Sequence, residues 1–304
     1  MPSATKDLDI RILRELTSPS SFQWNFRESY SAIAKRLAAD AETVRVTLKR
    51  SVELGMIQEW RLILNPGILG AKLAGMQLAV DDEERKSQVI SQARLVEGVV
   101  QILDFHGASL RVVIYFQDEF DLERKTKLLK AICGHRGEAP RWVSNLPPCK
   151  MRLKKVDWEI ISRVMHDPRR DASVVAKESR VSSRTVNRRL RRMTEEKVAY
   201  LIPVRNVKKS KGVICSFLII CSERGRDAIQ EFLRSTTARI DFIFDSAKEI
   251  FIATLIANNP SEANELHEQL KVLKGVSRVE MGLLKDFIFI DDWLDQAVAR
   301  RIAA

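Results

Sequence analysis

The chain carries nearly the same pattern twice, and that repeat limits what it can fold into more than any other feature. Asp9-Ile10-Arg11-Ile12-Leu13, Ala34-Lys35-Arg36-Leu37 and Thr43-Val44-Arg45-Val46-Thr47-Leu48-Lys49-Arg50 follow one another near the start. Asp157-Trp158-Glu159-Ile160-Ile161, Ala176-Lys177-Glu178-Ser179 and Thr185-Val186-Asn187-Arg188-Arg189-Leu190-Arg191-Arg192 follow in the same order, with similar spacing and apolar positions. Asp157 lies 148 residues after Asp9, and Thr185 lies 142 after Thr43. Self-similarity of this kind marks one structural unit used twice.

At 304 residues the chain exceeds the roughly 250–300 residues that one hydrophobic core normally serves, so several domains are expected. Fifty-one Lys and Arg face forty Asp and Glu, a formal charge of +11, which points to a polyanionic partner: nucleic acid first, an acidic membrane second. No apolar run reaches the roughly 18–20 residues of a membrane span and no signal-peptide core opens the chain, so a cytoplasmic address and no membrane partner are expected. Four cysteines in a chain this long do not form a disulfide framework. Cys215 and Cys221, six apart in a strand pattern, should share one face as reduced core residues. Cys133, His135 and Cys149 are poorly spaced for zinc and lack a fourth ligand, so no metal or other cofactor is expected.

Apolar periodicity predicts three helices over 8–16, 30–38 and 41–54, the third capped by Asp40 and ended by Gly55. Residues 56–64 alternate as a strand or small hairpin would. A stretch with Phe22, Trp24 and Phe26 separates the first two helices; these aromatics either line a pocket or, as is usual in such inserts, pack on the adjacent core. The second copy predicts helices over 156–165, 172–179 and 183–196, with Ser182 as N-cap, and a strand over 198–204 whose Pro203 suits an edge. The insert is replaced there by the tight Asp167-Pro168-Arg169-Arg170.

After each helical unit comes the order βαββαβ: 73–80, 83–95, 99–105, 109–116, 119–133 and 141–144, then 213–221, 224–236, 239–245, 249–257, 260–273 and 277–284. This is the ferredoxin-like signature. Residues 109–116 and 250–256 are apolar at nearly every position, which implies sheets covered on both faces, by helices on one side and by the equivalent sheet on the other. A strand-like run over 287–290 leads to a last helix over 291–302. The fold class is therefore α+β, two winged helix-turn-helix units each followed by a ferredoxin-like domain, divided as 1–66, 67–146, 147–207 and 208–304.

The positive charge concentrates on the second copy's third helix, which carries five arginines within nine residues, Arg184, Arg188, Arg189, Arg191 and Arg192, expected to repel one another unless an anion meets them. Val186, Leu190 and Met193 repeat at helical spacing and must face the core, leaving Ser183, Arg184, Asn187, Arg188 and Arg191 outward beside Thr185. Short polar groups, an amide and guanidinium forks are what a helix needs in a DNA major groove. Lys177 and Arg180 flank this face, and Lys208, Lys209 and Lys211 follow the wing. By the same geometry the first copy exposes Glu42, Thr43, Arg45, Val46 and Lys49, a weaker face carrying an acid. Double-stranded DNA is the expected partner, read chiefly by the second unit.

Helices, wing and ferredoxin-like domain in this order resemble the Lrp/AsnC family of transcriptional regulators. The specific stretches are Asp9-Ile10-Arg11-Ile12-Leu13 and Asp157-Trp158-Glu159-Ile160-Ile161, against the family's Leu-Asp-x-x-Ile-Leu opening, and Ile33-Ala34, Thr43-Val44-Arg45 and Leu54-Gly55-Met56-Ile57. The second copy keeps Val175-Ala176 and Thr185-Val186-Asn187 but departs at Glu196-Lys197-Val198-Ala199. The resemblance implies DNA binding through the third helix, pairing of ferredoxin-like sheets face to face, here as an intrachain pseudo-dimer that a further homodimer would extend, and an amino-acid effector. Gly107-Ala108-Ser109-Leu110 and Ala247-Lys248-Glu249 lack the family's Gly-x-x-Asp turn, which argues against amino-acid sensing.

The rival is an enzyme of similar build, the sirohaem decarboxylases, whose polycarboxylate substrate would also suit a basic protein. Against it, His106, His135, His166 and His267 are scattered, and Glu59-Trp60-Arg61-Leu62 stands where those enzymes carry Arg-Arg-x-Gly-Ala. No glycine-rich phosphate loop, paired-carboxylate site or Ser-His-Asp order stands out, so a non-enzymatic regulator is expected.

Overall fold

The computed structural model describes Ile12 and residues 23–144, 146–210, 212–236, 239–245 and 249–303. The helix expected over residues 8–16, apart from Ile12, lies outside the described residues, as do Phe22, Lys211, Ala247 and Lys248.

The first helical unit comprises α1 (Tyr30–Leu37) and α2 (Ala41–Glu53), followed by the strand β1 (Ile57–Leu64). Ile33, Ala34, Leu37, Val44 and Leu48 close on Ile12 and Ile57 in one small core. Asp40 caps α2 by accepting from Thr43 N at 2.8 Å, and Gly55 leaves the helix at φ +66°, a backbone that favours glycine. The second unit repeats the plan with α5 (Lys155–Val164), α6 (Ala172–Glu178), α7 (Ser183–Glu195) and the strand β6 (Ala199–Arg205).

Each wing is a single strand, and the two wings are each other's partner. β1 and β6 pair antiparallel from Ile57 opposite Arg205 to Leu64 opposite Ala199, placing Pro203 opposite Trp60. A two-stranded ribbon consists only of edges, so Pro203 is tolerated for the reason its sequence suggests.

The remaining strands are β2 (Lys72–Ala79), β3 (Val99–Phe105), β4 (Ser109–Phe116), β5 (Arg141–Val143), β7 (Val213–Cys221), β8 (Arg239–Asp245), β9 (Ile250–Ala257) and β10 (Val276–Phe289). They form one eight-stranded sheet in the order β5-β2-β4-β3-β10-β7-β9-β8. Each half therefore runs fourth, first, third, second, the ferredoxin-like order. The join is β10, whose residues Val276 to Leu283 pair with β7 while Leu284 to Phe289 pair with β3. Two separate strands were expected over 277–284 and 287–290. The polar Lys285-Asp286 step marks a register break where one continuous strand changes partner, rather than a strand end.

Helices α3 (Lys86–Ala93) and α4 (Glu119–Cys133) cover one face of the first half, and α8 (Glu223–Ser235) and α9 (Pro260–Lys271) one face of the second. Val89, Leu122 and Leu129 share a core with Met76, Val112 and Ile114; Ile229, Leu266 and Leu270 share one with Phe217, Phe251 and Leu255. Cys215 and Cys221 both enter the second core, as their spacing predicts. The uncovered faces meet each other. Leu103 and Phe105 pack with Ile214 and Leu284, and Trp142 with Leu218 and Ile252. The two halves are thus joined twice, edge to edge through β10 and face to face as the two-sided apolar strands require. Each fully buried Leu, Ile or Phe there contributes about 1.5–3 kcal/mol.

The second helical unit rests on borrowed surface. Its Trp158, Ile160, Ile161, Val164, Val175, Val186, Leu190 and Met193 share a core with Phe26, with Leu62 and Leu64 of β1, with Tyr115 of β4, and with Leu294 and Val298 of the last helix, α10 (Asp292–Ala303). The aromatic insert is part of this packing: Phe26 is fully buried, and Trp24 meets Tyr200 edge-on at 5.3 Å. Arg27 donates to the carbonyls of Pro168 and Arg170, while Arg169 donates to the Glu28 carbonyl at 2.8 Å and lies over the Tyr30 ring. Insert and tight turn therefore bind the two units together.

Candidate nucleic-acid interface

Local rules fix the orientation of α7. Ser182 caps it, its Oγ accepting from Thr185 N at 3.2 Å, and no acid occupies the first turn. Val186, Leu190 and Met193 are buried at the i, i+4, i+7 positions. Ser183, Arg184, Asn187, Arg188, Arg191 and Arg192 consequently lie exposed, with Lys177 and Arg180 also exposed beside them. Arg180 takes φ +52° in the turn joining α6 to α7.

The five arginines, expected to repel one another unless an anion meets them, are not equivalent, and one of them meets a buried anion within the chain. Arg189 turns inward and donates to Asp157 at 2.7 Å, and that carboxylate is only 1% exposed. Asp157 also accepts from Lys154 N at 2.8 Å, locking the start of α5. Arg191 lies 3.7 Å from Glu195, a loose surface pair. Among the described residues Arg184 and Arg188 have no carboxylate within 4.0 Å and Asn187 has no side-chain hydrogen bond. The Thr185 hydroxyl is already engaged at 3.0 Å with Ser182 Oγ, so this candidate shapes the helix start instead of presenting a free group.

The corresponding face of α2 is neutralised from within. Arg45 Nε donates to Glu42 at 2.7 Å, which holds the Glu42 carboxyl below its ordinary range and raises the Arg45 guanidinium. Lys49 stands 3.5 Å from Glu53, and the Thr43 hydroxyl donates to Asp40. Of the basic residues after the wing, Lys208 and Lys209 are both exposed, and the Lys209 side chain lies over Gly55 at the end of α2, where a cation meets the negative end of the helix.

The other candidate groups stay apart. Among the described residues no three His, Cys, Asp or Glu side chains gather as a metal site. His135 Nδ1 accepts from Ala79 N at 2.9 Å, and burial pushes the Cys133 thiol up to about 11. His166 lies 3.6 Å from Asp295, and His267 stacks against Phe217. His106 is exposed after β3. Arg61 in the first wing is held by Glu59 and Asp291. Among the described residues no helix is long and apolar enough to cross a membrane.

The Asp157–Arg189 pair and a buried Arg111 between the sheets escaped the sequence reading. The first had a signal in the repeated Asp at the opening of the pattern; the second had none beyond a single charge inside an apolar strand.

Residues 148–198, which span α5 to α7, match the family model described as winged helix-turn-helix DNA-binding. The chain carries that module. An uncharacterised HTH-type transcriptional regulator of Pyrococcus furiosus is 34% identical over 86 residues, 28% of this chain and 53% of that protein. The chain thus spans about half the length of this curated relative. Among solved structures it is similar to the siroheme decarboxylase NirDL in complex with an iron-uroporphyrin III analogue, at 15% identity, covering 96% of this chain and 98% of that one with a TM-score of 0.59. It is also similar to LrpC of B. subtilis, at 15% identity over 44% of this chain and 94% of that one, with a TM-score of 0.36. At such identities NirDL informs on the fold alone, and that likeness extends over 96% of the chain.

Proposed function

We propose that this winged helix-turn-helix chain is a DNA-binding transcriptional regulator of the Lrp/AsnC type, reading duplex DNA through α7. One observation carries the reading: α7 presents Ser183, Arg184, Asn187 and Arg188 on its exposed side, with both guanidiniums free of any carboxylate partner among the described residues. Exposed, unpaired arginines near the start of a recognition helix are suited to guanine edges or phosphates, and an amide two or three residues on is suited to adenine. Lys177, Arg180 and Arg191 extend the cationic surface for backbone contact. The family-model match at residues 148–198 and the Pyrococcus relative support the same reading.

In this reading residues 1–66 and 147–207 are the helical units, and 67–146 and 208–304 form an intrachain pseudo-dimer that can associate further as a homodimer. Selection of bound duplexes from a random library tests it. An enriched sequence is expected, bound at least tenfold less tightly by the double variant Arg184→Ala/Arg188→Ala; unchanged affinity in that variant would overturn the proposal.

A second reading, a sirohaem decarboxylase-like enzyme, draws on the likeness to NirDL along 96% of the chain. Against it, the four histidines lie on four separate segments, and Arg61 is already bound to two carboxylates. Decarboxylation of added sirohaem by the purified chain would establish that reading in place of the first.

A further inference from the structure

We infer that the chain reads one asymmetric DNA half-site through α7 alone, and that α2 is a helix of the same build without a reading face. This rests on the DNA-binding function proposed above. The two helices correspond at an offset of 142 residues, which sets Val44 against Val186 and Leu48 against Leu190 in the buried stripes. The same offset sets Glu42 where Arg184 stands and Val46 where Arg188 stands. The two guanidiniums of α7 that have no carboxylate partner among the described residues are thus replaced in α2 by a carboxylate and an exposed valine. Arg45, opposite Asn187, is spent on Glu42, and Lys49, opposite Arg191, faces Glu53.

The helix ends differ in the same sense. α7 begins with a serine cap and no acid, leaving its positive end open to phosphate, whereas α2 begins with Asp40 and Glu42, which would repel one. Both wings are consumed in the shared ribbon, so neither is a free hairpin that could compensate for a weak helix. A symmetric dimer of helix-turn-helix units reads two half-sites and therefore a palindrome. One chain with one competent face reads a single, directional sequence.

Selection from random duplex DNA, followed by fluorescence-anisotropy titration of the enriched site, tests this with the full chain and three double variants. At concentrations where the chain is monomeric the expected motif is non-palindromic, because a homodimer would set two copies of α7 on an inverted repeat. Arg45→Ala/Lys49→Ala should bind it within about twofold of wild type, while Arg184→Ala/Arg188→Ala loses at least tenfold. Glu42→Arg/Val46→Arg should gain affinity for a duplex carrying two inverted copies of the motif. A palindrome enriched by the monomeric chain, or an equal loss in the Arg45/Lys49 and Arg184/Arg188 variants, overturns the asymmetric reading and leaves DNA binding standing. Failure to enrich any duplex overturns both.

Discussion

Arg111 reaches from β4 across the space between the two sheet faces and donates to Ser216 Oγ of β7 at 2.6 Å, joining the halves through a fully buried cation. Its Nε donates to Gln77 at 3.0 Å, Thr254 donates to the same Ser216 at 3.1 Å, and the guanidinium lies 5.2 Å from the Phe105 ring centre and 5.7 Å from that of Trp142. Among the described residues no carboxylate approaches within 4.0 Å, and burial pulls the guanidinium down to about 9. Arg111→Ala would empty the space between two rings and remove the donors to Gln77 Oε1 and Ser216 Oγ, leaving Ser216 only its bond from Thr254 and Gln77 only its bond to Ser109, so it should cost about 2–4 kcal/mol. Arg111→Met, which keeps volume and removes the buried charge, should cost less. Urea unfolding of both variants measures the difference; equal stability of Arg111→Ala and wild type would refute the role.

Asp157 joins the start of α5 to the inward face of α7. Asp157→Ala removes the acceptor of Lys154 N and leaves Arg189 without its buried anion, a loss expected to reach about 3–5 kcal/mol. Thermal unfolding followed by circular dichroism should show a lower midpoint, while Glu195→Ala, which removes only an exposed pair with Arg191, should leave it nearly unchanged.

Asp121 gives the fold an acid-sensitive element. Partial burial acts to raise its carboxyl, but hydrogen bonds from Lys125, Arg124 and the Gln117 backbone outweigh this and hold it at about 2. A carboxylate whose folded-state value lies below the unfolded value of about 3.9 stabilises fully above that pH and loses the contribution as pH falls toward the folded value. The midpoint gap between wild type and Asp121→Asn should therefore be constant above about pH 5 and close between about pH 4 and 2. A gap independent of pH would contradict the assignment.

The thiols should differ in reactivity. Burial pushes Cys133 up to about 11 and Cys215 up to about 12, and both side chains are fully enclosed, so neither offers a thiolate at neutral pH. Cys149, only half-buried, should be alkylated first by iodoacetamide in the native protein, with the other three protected until unfolding.

Local patterns were legible and long-range strand pairing was not. The stripe Val186, Leu190, Met193 predicts which side of α7 is exposed because helical periodicity is written within a dozen residues. The partner of Arg189 was not legible, since Asp157 lies 32 residues away and helical spacing, which leaves Arg189 off the outward face, does not say which acid meets it. Alternation marks residues 56–64 as a strand or small hairpin, but nothing there names residues 199–205 as the mate of the single strand that forms. The same holds for β10, whose Leu284 to Phe289 segment pairs with β3 from the other half of the chain. Strand partners are chosen by surfaces assembled only in the folded chain.

The salt dependence of DNA binding by the Arg184→Ala/Arg188→Ala variant tests the central claim most directly. Each phosphate contact removed should flatten the slope of log affinity against log salt by about 0.9, and each lost base contact should cost about 1–3 kcal/mol. Anisotropy titrations from low to moderate salt on the selected duplex are therefore expected to show weaker binding at every salt concentration, with a flatter slope wherever these arginines meet phosphate. Affinity and slope both equal to wild type would contradict the assignment of α7 as the reading helix.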